Sequence, residues 1–286
     1  MKREKFGSRL GFILVSAGCA IGLGNVWKFP YLCGQMGGAA FILIYLVFLL
    51  IMGVPVMICE FAIGRGSHFS VAAAFEKLEP EGTRWHISKW IGILGSYLLM
   101  MFYTSVGGWM MYYCFRSIRG DFVGNSAEEV GAKFTKMLAD APNMAFWTIL
   151  ICVIGFAICW FGIQNGIEKV SKVMMSVLMV LMIILAVHSV FLKGAGAGIH
   201  FYLIPDFRKM AEIGIGNVIF GAMSQAFFTL SIGIGAMMIF GSYLERNRSL
   251  AGEALSITGL DTFVALMAGF IIIPACFAFG IEPGAG

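Results

Sequence analysis

Charge is what this sequence has least of. Lys, Arg, Asp and Glu make up 13% of its 286 residues and hydrophobic types 59%, which excludes an ordinary soluble domain. The shortage is concentrated: residues 29–59, 90–115, 143–167, 173–192 and 213–244 contain no charged residue. Each run is long enough to cross roughly 30 Å of hydrocarbon as a helix at ~1.5 Å per residue. Residues 10–27 form another run, ending at Lys28, and residues 254–281 a further one interrupted only by Asp261. These runs predict seven membrane helices. Lipid-facing strands, with about ten residues of alternating pattern, do not fit them.

Other absences narrow the function. The four His residues stand apart, with no metal-ligand spacing. No GxSxG, phosphate loop or HExxH occurs, so the sequence does not read as an enzyme. The seven Cys residues fall mostly within the apolar runs at irregular spacing and read as small buried hydrophobes. Basic residues are dispersed over loops instead of gathered with stacking aromatics, so nucleic acid is not an expected partner. The first apolar run outlasts a signal-peptide core and lacks a small-residue cleavage site.

The distribution of positive charge sets an expected orientation. Of the 20 Lys and Arg residues, twelve (Lys2 to Arg248) fall in the loops on the N-terminal side and seven (Arg116 to Lys209) in the alternate loops. The bias favours a cytoplasmic N-terminus. A multi-pass protein of the cell's inner (plasma) membrane is the expectation.

The most informative stretch is Gly18-Cys19-Ala20-Ile21-Gly22-Leu23-Gly24-Asn25-Val26-Trp27-Lys28-Phe29-Pro30. Three glycines, an Asn, a Lys and a Pro weaken the helix where lipid tolerates only regular backbone. Such a break survives where its freed carbonyls and amides line a polar cavity or ligand site. Helix ends freed in this way offer amides to an anion and carbonyls to a cation. A second reading makes Gly18 and Gly22 a close-packing GxxxG pair, and the two are compatible. The span around Ser231, Gly233 and Gly235 repeats the interruption.

Along the chain the expected helices are 10–34, 37–63, 89–116, 143–163, 167–193, 214–243 and 251–280. Loop 65–88 is expected to be partly helical, and 117–141 to carry an amphipathic surface helix over Ala127–Leu138. Residues 194–213 read as an outer loop.

These motifs resemble the neurotransmitter:sodium symporters, specifically the bacterial LeuT-type amino-acid transporters. The resemblance rests on the broken segment 18–30, on Lys2-Arg3-Glu4-Lys5-Phe6, Gly166-Ile167-Glu168-Lys169 and Pro205-Asp206-Phe207, and on Gln225-Ala226-Phe227-Phe228-Thr229-Leu230-Ser231-Ile232-Gly233-Ile234-Gly235. It implies an all-α membrane protein of the LeuT fold, built on inverted five-helix repeats whose broken first helices meet at the binding site. Residues 1–9 would be the cytoplasmic N-terminus, 10–193 the first repeat and 194–213 the extracellular loop. Residues 214–280 would open a second repeat truncated after its second helix, with 281–286 starting an outer loop. The implied function is sodium-coupled symport of a neutral hydrophobic amino acid by alternating access, with the lipid bilayer as the other partner. A non-transporting remnant or membrane interaction module, and an exchanger independent of sodium, are the rival readings. The 286 residues on their own are expected to insert without transporting.

By the same resemblance, one sodium ion would be held by the Ala20 carbonyl, Asn25, Thr229 and Asp261, and a second by the carbonyls of Gly18 and Ile21. Hard oxygen donors suit a hard cation. The substrate would meet Cys19, Ala20, Gly22, Leu23, Gly24, Leu99, Tyr103, Phe228, Thr229, Ser231 and Ile234. Arg3, Lys28 and Tyr243 would serve the gates. Glu60 is expected to cap orphan amides of the broken helices. No chloride is expected: relatives that need it complete the halide site with residues matching Tyr45, Gln225, Thr229, Asp261 and Ala265. Here Asp261 places a fixed negative charge where the halide would sit. A protonated Asp261, hydrogen-bonded within the bundle, is the alternative for that residue.

Overall fold

The computed structural model describes residues 6–284, which fold as helices and turns with no strand among them. Five helical stretches are long and apolar enough to cross a membrane: Ala39–Ser67, Trp85–Ile118, Ala141–Trp160, Ile163–Val190 and Leu250–Phe279. A sixth is a bent pair, Arg9–Ala20 and Gly24–Gln35, whose halves meet at 56°. The remaining expected span, 213–244, is also broken. Helix α12 (Ile215–Thr229) and α13 (Ala236–Gly241) are separated by a turn, so neither piece spans alone.

The breaks follow from local chemistry. Helix α1 (Arg9–Ala20) starts under a Ser8 cap and stops where Ile21 turns extended, with Gly22 and Gly24 just beyond. The chain then resumes through a wide π turn, Gly24–Lys28, into α2 (Phe29–Gln35), where Pro30 sits in the first turn and needs no amide partner. Between α12 and α13, Ser231 at φ 52°, Gly233 at φ 89° and Gly235 at φ 78° turn the chain in the left-handed region. A second π turn, Leu49–Gly53, links α3 (Ala39–Phe48) to α4 (Val54–Ser67) just ahead of Pro55.

Two of the loop regions hold the helices expected of them, and a third holds helices that were not expected. Within 65–88 lies α5 (Val71–Leu78), followed by α6 (Ser88–Ile118), and the outer amphipathic segment forms α7 (Ala127–Ala139) under a Ser126/Glu129 capping box. Helices α8 (Ala141–Trp160) and α9 (Lys169–Val190) follow. Residues 194–213, expected as loop, instead hold α10 (Ala195–Leu203) and α11 (Phe207–Ile213). The reason is packing: Tyr202 of α10 buries its ring against Gly269 and donates its hydroxyl to the Leu266 carbonyl at 2.9 Å. Both of those partners lie on α14 (Leu250–Phe279).

The core gathers α1, α2, α3, α4, α12 and α14 around fully buried Tyr45, Phe29, Phe41 and Phe61. Helices α6, α8 and α9 turn large apolar side chains outward, among them Trp90, Leu94, Ile149, Phe156 and Val177, as lipid-facing surfaces do. Helices α4 and α13 approach closely, backbone to backbone. Gly64 faces the Met238 carbonyl, and a methyl on Gly241 would lie 2.7 Å from the Phe61 Cα.

Gly241→Ala is therefore expected to destabilise the protein by about 1–3 kcal/mol through overpacking. Gly259→Ala, whose added methyl meets nothing within 4 Å, should be neutral or slightly stabilising. Thermal unfolding in detergent distinguishes them. Equal shifts would show that the α4–α13 contact is not tight.

Candidate functional site

The two breaks meet. Of the last carbonyls of α1, Ala17 accepts from the Ile21 amide at 2.6 Å and Cys19 from the Ser231 hydroxyl at 3.3 Å. The other two residues at this end differ in setting: Gly18 faces Met175 of α9, and Ala20 is buried. No backbone amide among the described residues donates to the Gly18 or Ala20 carbonyl. Below the second break, Glu60 of α4 takes the Gly233 amide on Oε1 at 2.7 Å and the Met237 amide on Oε2 at 3.0 Å. A carboxylate at a helix start satisfies orphan donors and the positive end of the dipole together. The capping expected of Glu60 is thus present.

Beyond the first break lies a buried polar cluster. Asn25 takes the Gly22 amide on Oδ1 at 3.1 Å, and its Nδ2 donates to the Asp261 backbone oxygen at 3.0 Å and to Oδ1 at 2.9 Å. Thr229, the last residue of α12, donates its hydroxyl to the other Asp261 oxygen at 3.0 Å. Gln225, one turn earlier, donates to the Gly24 carbonyl at 2.7 Å. Asn25, Thr229, Gln225 and Asp261 are all fully buried. The Asp261 carboxylate has neutral partners only: no cationic side chain among the described residues pairs with it. A carboxylate without a counter-charge at membrane depth is costly and marks a functional site. The donor set of carboxylate, amide and hydroxyl oxygens fits a hard cation.

The remaining expected residues divide by position. Gly22 faces Tyr103 of α6, whose Cε1 would lie 3.7 Å from a methyl there, and Gly24 faces the Phe228 ring. Ile234 packs its side chain on Gly95 of α6, and Leu99 lies on the same face midway between Gly95 and Tyr103, half-buried. Lys28 stands over the Phe228 ring, its Nζ 4.0 Å from the centroid. These two line a cavity of about 350 Å³ with Leu23, Trp27, Tyr31 and Phe102. Cys19 is exposed at the break, while Ile21 is buried in the core. Tyr243 lies farther off, edge-on to Phe6 at 5.7 Å. Arg3 lies outside the described residues. Tyr45 and Ala265 are fully buried, and the Tyr45 hydroxyl has no hydrogen-bond partner among the described residues. Sequence reasoning did not find the Ser231–Cys19 link, because a backbone carbonyl leaves no mark in a residue pattern.

Comparison with known proteins places this geometry in a class. The Sodium:neurotransmitter symporter family matches residues 3–130 and 128–279. The chain belongs to that family, a family of transporters and not of enzymes. It is 36% identical over 290 residues to the sodium-dependent transporter YhdH of Bacillus subtilis, covering 100% of this chain and 62% of that one. Against the sodium- and chloride-dependent taurine transporter of Bos taurus the identity is 30%, over 95% of this chain and 49% of the relative. The crystal structure of MhsT in complex with L-phenylalanine superposes with a TM-score of 0.90 at 41% identity, covering 99% of this chain and 64% of that one. The chain thus spans less than two thirds of the length of these relatives. The fold is the LeuT type, and the protein is a multi-pass membrane protein.

Removing the Glu60 carboxylate strands two amides in the bundle. Glu60→Ala is expected to lose more stability than Glu60→Gln, which keeps one acceptor oxygen. The difference should be about 1–3 kcal/mol, the usual penalty for a buried unsatisfied group. Thermal unfolding of the two variants checks this, and equal losses would show that the capping oxygen contributes nothing.

Proposed function

We propose that the protein is a Na⁺-coupled symporter of a neutral, hydrophobic amino acid in the cell's inner (plasma) membrane, with its N-terminus in the cytoplasm. The observation that carries the reading is Asp261: a fully buried carboxylate held by Asn25 and Thr229 from two broken helices, with no cationic partner among the described residues. A bound Na⁺ supplies the missing charge. In this reading Asn25, Thr229, Asp261 and the Ala20 carbonyl take one ion, and the Gly18 and Ile21 carbonyls contribute to a second. The amino acid lies against Cys19, Ala20, Gly22, Leu23, Gly24, Leu99, Tyr103, Phe228, Thr229, Ser231 and Ile234. Its carboxylate is drawn to the sodium and to the amides at the break, where those of Leu23 and Gly24 take no backbone acceptor among the described residues. Lys28 over Phe228 serves the outer gate, and Tyr243 with Arg3 the inner one. Residues 10–193 then form the first repeat and 214–280 open the second.

Two features support the substrate class. The side chains assigned to the amino acid are apolar or neutral, and Lys28, a cation nearby, is engaged with the Phe228 ring. The related MhsT structure holds L-phenylalanine. Competition by the twenty amino acids against uptake is expected to rank neutral hydrophobic ones first. Lysine or glutamate outcompeting every neutral amino acid would overturn the substrate class.

Chloride is not required in this reading, because Asp261 already provides a fixed negative charge beside the sodium, and a halide would add a like charge. Uptake should persist when gluconate replaces chloride. Asp261→Asn should weaken the apparent sodium affinity on the order of tenfold or more, since bonds to a charged group are worth about 1.5–3 kcal/mol. Loss of transport in gluconate by the unaltered protein would rule out Asp261 as the substitute anion.

A further inference from the structure

The first turn of α1 is gripped from outside its own helix. Glu168 closes the π turn Ile163–Glu168 that leads into α9, and it is 3% exposed. Its Oε2 accepts the Gly7 amide at 2.8 Å. Its Oε1 accepts the Ser8 hydroxyl at 3.1 Å and the Lys172 ammonium at 2.6 Å. Ser8 is itself the cap of α1, taking the Gly11 amide at 3.0 Å and Lys172 at 3.0 Å on the same oxygen. Gly11 has no side chain where the carboxylate lies: a Cβ there would overlap Glu168 Oε1. So one buried carboxylate commits its acceptors to the start of α1 and to Lys172.

The other end of α1 stops at Ala20, where the Ser231 hydroxyl bonds the Cys19 carbonyl across to the second break. The segment is a short rod with a hinge at the break and a polar grip at its start. We infer that Glu168 is a positioning residue of transport: it latches α1 against the α9 turn, and its release lets α1 swing so that the break opens toward the cytoplasm. The inference rests on the transport reading above. Release is easy for a specific reason. Lys172 is four residues along the same helix and stays with Glu168 when α1 departs, so no buried charge is left alone. The Gly7 and Ser8 groups pass to water. A grip that is satisfied when closed and hydrated when open suits a two-state element.

Cys19, exposed at the break, reports the opening. The full-length transporter is reconstituted in vesicles, and a membrane-impermeant maleimide is added on the cytoplasmic side. Alkylation of Cys19 is followed by peptide mass spectrometry, with and without Na⁺. Glu168→Gln and Gly11→Ala are each expected to speed labelling on the order of tenfold, the effect of losing one to two charge-assisted hydrogen bonds. Gly11→Ala added to Glu168→Ala should give no further increase, because the methyl then has no carboxylate to displace. A latch-free protein would show Na⁺-responsive labelling at the same rate with and without Glu168→Gln, and lower thermal stability without faster labelling would equally overturn the latch. Labelling that ignores Na⁺ in the unaltered protein would defeat the transport reading, and the latch's part in it.

Discussion

Everything in this bundle answers to one constraint: a carboxylate, Asp261, lies fully buried within a membrane-depth helix. A continuous helix presents no spare backbone to such a group, since its amides and carbonyls are bonded to one another. Side chains must therefore be delivered to Asp261 from other helices, and the structure does so where those helices fail. Asn25 follows the break in the first span, and Thr229 is the last residue before the break in another. The irregular backbone at the breaks draws in further residues. Gln225 answers the Gly24 carbonyl, Ser231 the Cys19 carbonyl, and Glu60 the amides at Gly233 and Met237.

The two breaks are satisfied by opposite chemistry. At the second, the exposed ends are amides, and a carboxylate from α4 takes them. That end is consequently closed to an external anion. At the first, the carbonyls of Gly18 and Ala20 receive no backbone donor among the described residues, so the unsatisfied groups there are acceptors. Ser231 ties the two together while standing at φ 52°, a conformation unusual for a residue with a side chain. Its hydroxyl bond to Cys19 lies in the same turn, which places the strained residue where the two broken helices touch.

How far this was legible in the sequence depends on what kind of signal each feature leaves. The spans were readable because a run as long as 213–244 without a single charge is what burial in hydrocarbon requires and what a water-exposed helix does not tolerate. The breaks were readable because glycine and proline act on the backbone directly, and Glu60 and Asp261 because carboxylates in apolar runs demand an account. Helices α10 and α11 were not, since Gly194, Gly196, Gly198 and Pro205 mark that stretch as loop. It is the burial of Tyr202 against α14 that overrides local preference there. Glu168 was visible only as part of a family resemblance. Its partners are a backbone amide, a cap and the missing side chain of Gly11, none of which a residue pattern advertises.

The bonds on the two sides of the first break differ in what can replace them. After the break, Asn25 is fixed to α14 by two fully buried hydrogen bonds, in surroundings where breaking either leaves a polar group without water. Before it, the start of α1 is held by polar bonds in which buried carboxylates, Glu168 and Glu253, meet partly exposed groups. The Arg9 pair with Glu253 joins a guanidinium that is 51% exposed to a carboxylate that is buried, and such half-wet pairs contribute little. Separation there exchanges protein partners for water, whereas separation at Asn25 exchanges them for nothing. The polar bonds that precede the break can thus be replaced by water, while those that follow it hold Asn25 to Asp261.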